Sequence, residues 1–198
     1  MTTLLLVRHA AHDRVNRVLC GRMPGVRLGA EGRAEAERVA ERLSRESIAL
    51  VQSSPLERAR ETAEPIARQL GVGVEVTDAL HEIDVGEWTG RGFEDLRDDP
   101  RWMLWNSARS ITRAPGGETM LDVQHRVLAH VEALAARVRE GTVVLVSHAD
   151  VIKAAIAYWL GLPLDSLQRF EVAPASLSRV VVGDWGAKVL SLNEVAAP

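Results

Sequence analysis

Two short apolar runs in this sequence each lead into a histidine, and they constrain its fold more than any other feature. The first is Thr3-Leu4-Leu5-Leu6-Val7, followed by Arg8 and His9; the second is Thr142-Val143-Val144-Leu145-Val146, followed by Ser147 and His148. Such short, continuous runs are typical of strands buried on both faces inside a parallel sheet. Because open α/β sheets bind ligands at the carboxyl ends of their strands, we expect both histidines at one crevice. The alternative is that both are ordinary polar residues at strand ends.

Helical patterns alternate with short apolar runs along the chain and hydrophobic content is near half, which indicates a soluble globular protein. We predict one domain over residues 1–198, because this length suits a single core and no linker divides the chain. Beyond the two histidine strands, the predicted elements are helix 30–45, strand 48–53, a helix opened by Ser54-Pro55, strand 74–77, helix 118–139, helix 151–160, and strands 176–182 and 188–192 around a hairpin turn. The segment 80–117 is predicted to form a cap or lid in which Trp102 and Trp105 pack.

The composition restricts the possible partners and location. A formal net charge of −3 argues against a general affinity for nucleic acid. No apolar run approaches the roughly 18 residues that a membrane span needs. The chain starts without a signal-like segment and has a single cysteine, Cys20, so it cannot form an internal disulfide. We therefore expect a cytoplasmic protein that binds neither nucleic acid nor membranes.

The residues near the two strand ends suit phosphoryl transfer. A phosphate monoester needs a nucleophile, fixed donors for the phosphate oxygens and an acid for the leaving oxygen. His9 is the candidate nucleophile, because a neutral imidazole is nucleophilic near pH 7. Arg8 and Arg58 can each bind two phosphate oxygens at once. A protonated His148 would supply a further charged donor, and Glu82 is the candidate acid.

Five segments occur here in the order in which one protein family has them. They are Leu6-Val7-Arg8-His9, residues 53–63, residues 80–90, Pro115-Gly116-Gly117-Glu118-Thr119 and Val146-Ser147-His148. Together they make the chain similar to the histidine phosphatase superfamily, also called phosphoglycerate-mutase-like. The resemblance implies a three-layer α/β/α sandwich around a mostly parallel sheet, and transient phosphorylation of His9. It also implies a phosphate pocket of Arg8, Arg58 and His148, with Glu82 as proton donor and with no metal or cofactor.

The sequence departs from that family's pattern at three positions. Ala10 and Ala149 stand where glycines usually follow the two histidines, so we expect a slightly altered pocket floor. The family's phosphate-contacting asparagine is one residue closer to its histidine than Asn16 is to His9. The candidate substrate-binding residues are Arg8, Asn16, Gly21, Arg58 and Ala149.

Three other functions remain open at this point. His9, His12 and Asp13 could be part of a metal cluster, but zinc sites usually need three ligands at set spacing, and no cysteine or second cluster supports one. A phosphoglycerate mutase would use the same phosphohistidine chemistry, although mutases of the family go with longer caps and chains. A module that binds a phosphorylated ligand without turnover is the third. The function we expect is hydrolysis of a small phosphorylated metabolite, by a possible homodimer.

Overall fold

A six-stranded sheet with helices on both faces builds the fold, as seen in a computed structural model that describes residues 1–195. The strands are β1 (Thr2–Arg8), β2 (Ile48–Ser53), β3 (Val74–Val76), β4 (Gly141–Ser147), β5 (Leu177–Gly183) and β6 (Gly186–Glu194). The helices are α1 (Ala30–Leu43), α2 (Glu57–Leu70), α3 (Phe93–Leu96), α4 (Pro100–Ser107), α5 (Met120–Arg137) and α6 (Ala149–Leu160). Residues 196–198 of the predicted domain lie outside the described residues. Within residues 1–195, no helix is long and apolar enough to cross a membrane.

The sheet is parallel in the half that carries the histidines. Its strand order is β3-β2-β4-β1-β5-β6, and the pairs β1–β4, β4–β2 and β2–β3 are all parallel. β5 and β6 form the predicted hairpin, and β5 runs antiparallel to β1. The predicted α/β/α sandwich with a mostly parallel central sheet is therefore confirmed.

Successive side chains of β1 are divided between two hydrophobic cores, one on each face of the sheet. Leu4 and Leu6 pack with α5 and α6, whereas Leu5 and Val7 pack with α1 and α2. All four are 4% exposed or less. The alternation follows from the two-residue repeat of a strand, and it explains why the predicted run is apolar at every position.

The predicted cap segment is part of the core that contains α5 and α6. Trp88 and Trp105 are fully buried there, and Trp102 packs against both, with ring centroids 5.3 Å and 5.4 Å away. The expected packing role of Trp102 and Trp105 is therefore confirmed. Because offset and edge-to-face aromatic pairs add to the free energy of burial, this cluster holds α3 and α4 against the main fold.

Three helices begin at residues other than the predicted ones. α2 begins at Glu57 because the Ser54 hydroxyl accepts a hydrogen bond from the Leu56 N–H and turns the chain before the helix. α5 begins two residues late, at Met120, because Thr119 and Asp122 form a reciprocal capping box there. α6 begins two residues early, so that His148 itself stands at its N-cap.

Candidate active site

Neighbouring parallel strands bring the two histidines together at one edge of the sheet. Arg8 on β1 lies opposite Ser147 on β4, and the N–H of His9 donates to the Ser147 carbonyl at 2.8 Å. Ser54 follows β2 and donates its N–H to the Val146 carbonyl at 3.0 Å. The imidazole centroids of His9 and His148 are 5.1 Å apart. The sheet register therefore brings the two histidines together at the carboxyl ends of their strands, as the sequence predicts.

The ring of His9 is held in the form that a nucleophile requires. Its Nδ1 lies 2.8 Å from the carbonyl oxygen of Ala10. Because a carbonyl only accepts, Nδ1 carries the ring proton and Nε2 keeps a free lone pair. Burial, with the positive charges of Arg58 and Arg8, lowers the pKa of His9 well below its ordinary value. His9 is therefore neutral at pH 7.

Two arginines lie beside His9 with part of their hydrogen-bonding capacity unused. Arg58 is 2% exposed and donates through Nη2 to the Gly21 carbonyl at 2.8 Å. Arg8 donates through Nη1 to the Val172 carbonyl at 2.7 Å. Within residues 1–195, Nε and Nη1 of Arg58 and Nε of Arg8 are buried without a partner. Because buried unpaired donors are costly, this arrangement is suited to an anionic ligand that completes them.

His148 is fully buried and oriented by Ser54. Its Nε2 lies 2.8 Å from the Ser54 hydroxyl, which already accepts from the Leu56 N–H. If that hydroxyl donates to Nε2, the proton of a neutral imidazole sits on Nδ1, the nitrogen that lies 3.7 Å from Glu82. Burial, then Arg58 and His9, lowers the pKa of His148 well below its usual value. This shift favours the neutral ring, which can still donate, and protonation of His148 by a neighbouring anion stays a prediction.

Glu82 has the proton affinity of a general acid. Burial raises its pKa to about 7, and the negative charge of Asp150 adds to that rise, while Arg58 opposes it. One carboxyl oxygen accepts from the N–H of Ile83 at 2.9 Å, and the other faces His148. At neutral pH, a substantial fraction of Glu82 side chains therefore carries a proton.

A network that the sequence analysis missed fixes the backbone of Glu82. Arg22 and Arg126 both donate to the Glu82 carbonyl, at 2.8 Å and 3.3 Å. Glu118, in the Pro-Gly-Gly-Glu-Thr motif, binds both arginines and also accepts from the N–H of Asp84 at 2.9 Å. The Pro-Gly-Gly-Glu-Thr motif could have revealed this network. Its Gly117 packs so closely on the Asp84 backbone that a Cβ there would lie 2.2 Å from the Asp84 carbonyl oxygen, so the position requires glycine.

The two alanines cause no backbone strain at the pocket. Neither Ala10 nor Ala149 has a positive φ. Ala10 is buried in the core, where its N–H donates to the Thr62 hydroxyl at 3.0 Å, and Ala149 is the first residue of α6. A methyl group at either position is therefore compatible with the observed backbone. Binding of substrate by Ala149 stays a prediction.

Asn16 and His12 lie in the turn that follows β1. Asn16 is exposed and left-handed, with φ 61°, and no hydrogen bond joins its side chain to another group among residues 1–195. Its role in binding stays a prediction. The ring of His12 stacks on His9 with centroids 5.4 Å apart, and burial lowers its pKa to about 4. In the part of the chain that the structure describes, no group of three or more His, Cys, Asp or Glu residues could hold a metal ion.

Gly21 positions Arg58 through a backbone that only glycine adopts easily. Its φ is +47°, and a Cβ there would lie 2.5 Å from Cγ2 of Val85. We expect Gly21→Ala to lower the free energy of unfolding by about 1–3 kcal/mol, through left-handed strain and overpacking. We also expect a lower kcat/KM, because the carbonyl that holds Arg58 shifts.

The matched control for this variant is Gly25→Ala. Gly25 also has a positive φ, +72°, but among residues 1–195 a Cβ there would meet nothing within 4 Å. Urea unfolding and activity assays of both variants are the measurements. Gly25→Ala should lose about 1 kcal/mol with no change in kcat/KM. Equal effects of the two substitutions would contradict the role of Gly21.

Comparisons with known proteins agree with this geometry. Phosphoserine phosphatase 1 of Hydrogenobacter thermophilus is 32% identical over 198 residues, which is 98% of this chain and 92% of that protein. A probable phosphoglycerate mutase GpmB of Salmonella choleraesuis is 30% identical over 184 residues, or 91% and 85% of the two chains. The solved structure of Bacillus stearothermophilus YhfR superimposes with a TM-score of 0.92 at 29% identity, covering 98% of each chain. The model of the histidine phosphatase superfamily (branch 1) matches residues 4–195, and this chain therefore belongs to that family.

Proposed function

We propose that the protein is a phosphomonoester hydrolase that acts on a small phosphorylated metabolite through a phosphohistidine. The observation that carries this proposal is the neutral His9, with Nε2 free, beside four buried nitrogen atoms that lack partners within residues 1–195. These atoms are Nε of Arg8, Nε and Nη1 of Arg58, and Nδ1 of His148. A phosphate group supplies acceptor oxygens of the kind that these four atoms lack.

Two displacements at phosphorus complete the proposed reaction. In the first, the Nε2 lone pair of His9 forms a bond to phosphorus, and the bond to the leaving oxygen breaks as Glu82 gives that oxygen its proton. The Ala10 carbonyl then stabilises the positive charge of the phosphorylated ring through Nδ1–H. In the second, the Glu82 carboxylate takes a proton from water, the water oxygen bonds to phosphorus, and the P–N bond breaks. Inorganic phosphate leaves, and His9 is neutral again.

The names of the relatives support this reaction and also keep a second one in view. Phosphoserine phosphatase 1 favours hydrolysis, whereas the probable phosphoglycerate mutase favours return of the phosphoryl group to a second acceptor. We favour hydrolysis because the phosphatase-named relative aligns over 98% of this chain and a mutase must in addition keep water from the phosphorylated enzyme. The proposal includes residues 80–117 as a cap over the substrate, no metal requirement, a cytoplasmic location and a possible homodimer.

The experiment is a screen of phosphorylated metabolites for release of inorganic phosphate, run in EDTA. We expect at least one sugar, amino-acid or glycerate phosphate to be hydrolysed. In a second assay, the enzyme receives 3-phosphoglycerate with a little 2,3-bisphosphoglycerate as primer. The expected products are inorganic phosphate and little 2-phosphoglycerate.

Each other result contradicts a named part of the proposal. Fast isomerisation with negligible phosphate release would identify a mutase. Activity that disappears in EDTA and returns with zinc or magnesium would refute metal independence. Tight binding of phosphate esters with no turnover would identify a binding module.

A further inference from the structure

One ion pair joins the predicted cap to the pocket, and the proposed reaction does not use it. Arg109, which is 5% exposed, donates through Nη1 to the Asp150 carboxylate at 2.7 Å. Its Nη2 donates to the side-chain oxygen of Asn106 at 3.1 Å, and its guanidinium lies 3.9 Å above the ring of Trp105. Three separate contacts therefore fix this arginine, and two of them belong to α4.

Asp150, the partner of Arg109 in this ion pair, lies in the first turn of α6, two residues after His148. The charged and titratable groups around the Glu82 carboxyl include His148, whose Nδ1 lies 3.7 Å away, Asp150, whose charge raises the pKa of Glu82, and Arg58 on α2 and Arg8 at the end of β1, which lower it. Asp150 is the only acidic member of this set. Its carboxylate therefore opposes the two arginines at the proposed proton donor, and Arg109 partly neutralises that carboxylate.

We propose that Arg109 and Asp150 are positioning residues that connect the cap to the proton donor: Arg109, held by Asn106 and Trp105 of α4, fixes the Asp150 carboxylate in the first turn of α6, two residues from the His148 ring that faces Glu82. This inference rests on the proposed function for the role of Glu82 and for residues 80–117 as a cap. A cap that moves away would take Arg109 with it and change the charge next to the donor. The state of the cap and the proton on Glu82 are thus linked through one salt bridge.

Asp150→Asn and Arg109→Gln should shift the pKa of Glu82 in opposite directions, which a purely structural role of the pair would not produce. Asp150→Asn keeps the size of the side chain but removes the negative charge, so the pKa of Glu82 should fall. Arg109→Gln removes the neutralising cation, so the same pKa should rise. We expect each shift to be roughly half a unit or more, because the Asp150 charge is one of the main causes of the raised pKa of Glu82.

A second contact between the predicted cap and the rest of the fold offers a matched control. Ser110 donates to Asp165 through its N–H at 2.8 Å and its hydroxyl at 2.7 Å, and Asp165 is exposed in the turn that follows α6. Asp165→Asn weakens a contact of the cap without touching the pocket. It should leave the pKa of Glu82 where it is in the wild type.

The primary measurement is a ¹³C NMR titration of the ligand-free protein labelled at glutamate Cδ, with the Glu82 signal identified by its absence in Glu82→Gln. This readout does not depend on turnover. The inference can therefore fail while the proposed function stands, and the proposed function can fail while the inference stands. A downward shift in Asp150→Asn, an upward shift in Arg109→Gln and none in Asp165→Asn would support it. Shifts of the same sign, or no shift in Asp150→Asn, would overturn it. If Arg109→Gln does not fold, Asp150→Asn and the control decide.

Kinetics supply the second measurement. For an alkyl phosphate at pH values above the pKa of Glu82, the rate follows the protonated fraction, so a half-unit to one-unit decrease means about a 3- to 10-fold loss of kcat/KM. Asp150→Asn should show this loss above pH 7 and little of it at pH 5.5. A loss that is equal at both pH values would also overturn the inference, because it would indicate a structural role.

Discussion

His9→Ala should lose activity on the order of 10⁴-fold or more, together with all covalent labelling by substrate. The physical reason is that removal of a covalent nucleophile abolishes the two-step route and leaves only what the binding groups can accelerate. Brief reaction with ³²P-labelled substrate and an alkaline quench should give an acid-labile adduct on the wild type. The adduct should map to a peptide that includes residues 8–14.

The control is His125→Ala, because His125 is an exposed histidine on α5, away from the sheet edge. It should keep the activity and the labelling of the wild type. Thermal unfolding of both variants checks that the fold is intact. A labelled serine or aspartate, or an active His9→Ala enzyme, would remove His9 from the mechanism.

Glu82→Gln should reduce the rate on an alkyl phosphate by roughly 10²- to 10⁴-fold, the usual contribution of a general acid. An alkoxide leaves poorly without a proton, whereas a nitrophenolate leaves readily, so p-nitrophenyl phosphate should lose much less. The comparison is made under conditions in which formation of phosphohistidine limits the rate. Equal losses on both substrates would leave Glu82 with a structural or electrostatic role.

The pH profile gives an independent check on the same residue. Glu82 acts as a donor while protonated, and its pKa is about 7, so kcat/KM for the alkyl phosphate should fall as the pH rises through that value. His9 stays neutral throughout this range, because its pKa lies well below the ordinary 6.5. The alkaline decline should be absent from Glu82→Gln. Glu87→Gln is the control: Glu87 lies in an exposed ion pair with Arg101, and the decline should persist.

Much of the fold could be predicted because its signals are local. The apolar runs of β1 and β4 lie in the sequence as uninterrupted segments, since each buries both faces, and the Gly-Asp-Trp-Gly turn marks the final hairpin. The helix starts were less predictable. The hydroxyl of Ser54 was expected to cap α2, but Leu56 is the N-cap, and the hydroxyl contacts His148, which lies 94 residues away. A local capping rule cannot anticipate such a partner.

The active site likewise contains residues that the sequence indicated and residues that it did not. The motifs indicated Arg8, His9, Arg58, Glu82 and His148, and the structure brings these five residues together. The residues that orient them gave no comparable signal. Arg22 and Glu118 meet across 96 positions of sequence, and Arg109 meets Asp150 across 41. Such pairs depend on how loops are placed by the sheet, which hydrophobic periodicity does not report.

β1, which leads into the nucleophile, pairs on both sides with strands that are synthesised much later. β1 pairs from Thr2 with Gly141 on β4 and with Val182 on β5, so both of its ladders close very large loops. Contacts of such separation fold slowly, because the entropy of closing the loop is lost before the strands pair. A nascent chain that ends before Gly141 already contains Arg8, His9, Arg58 and Glu82, yet neither neighbour of β1. During translation, catalytic competence should therefore appear only after β5 has left the ribosome, long after most of the reactive side chains exist.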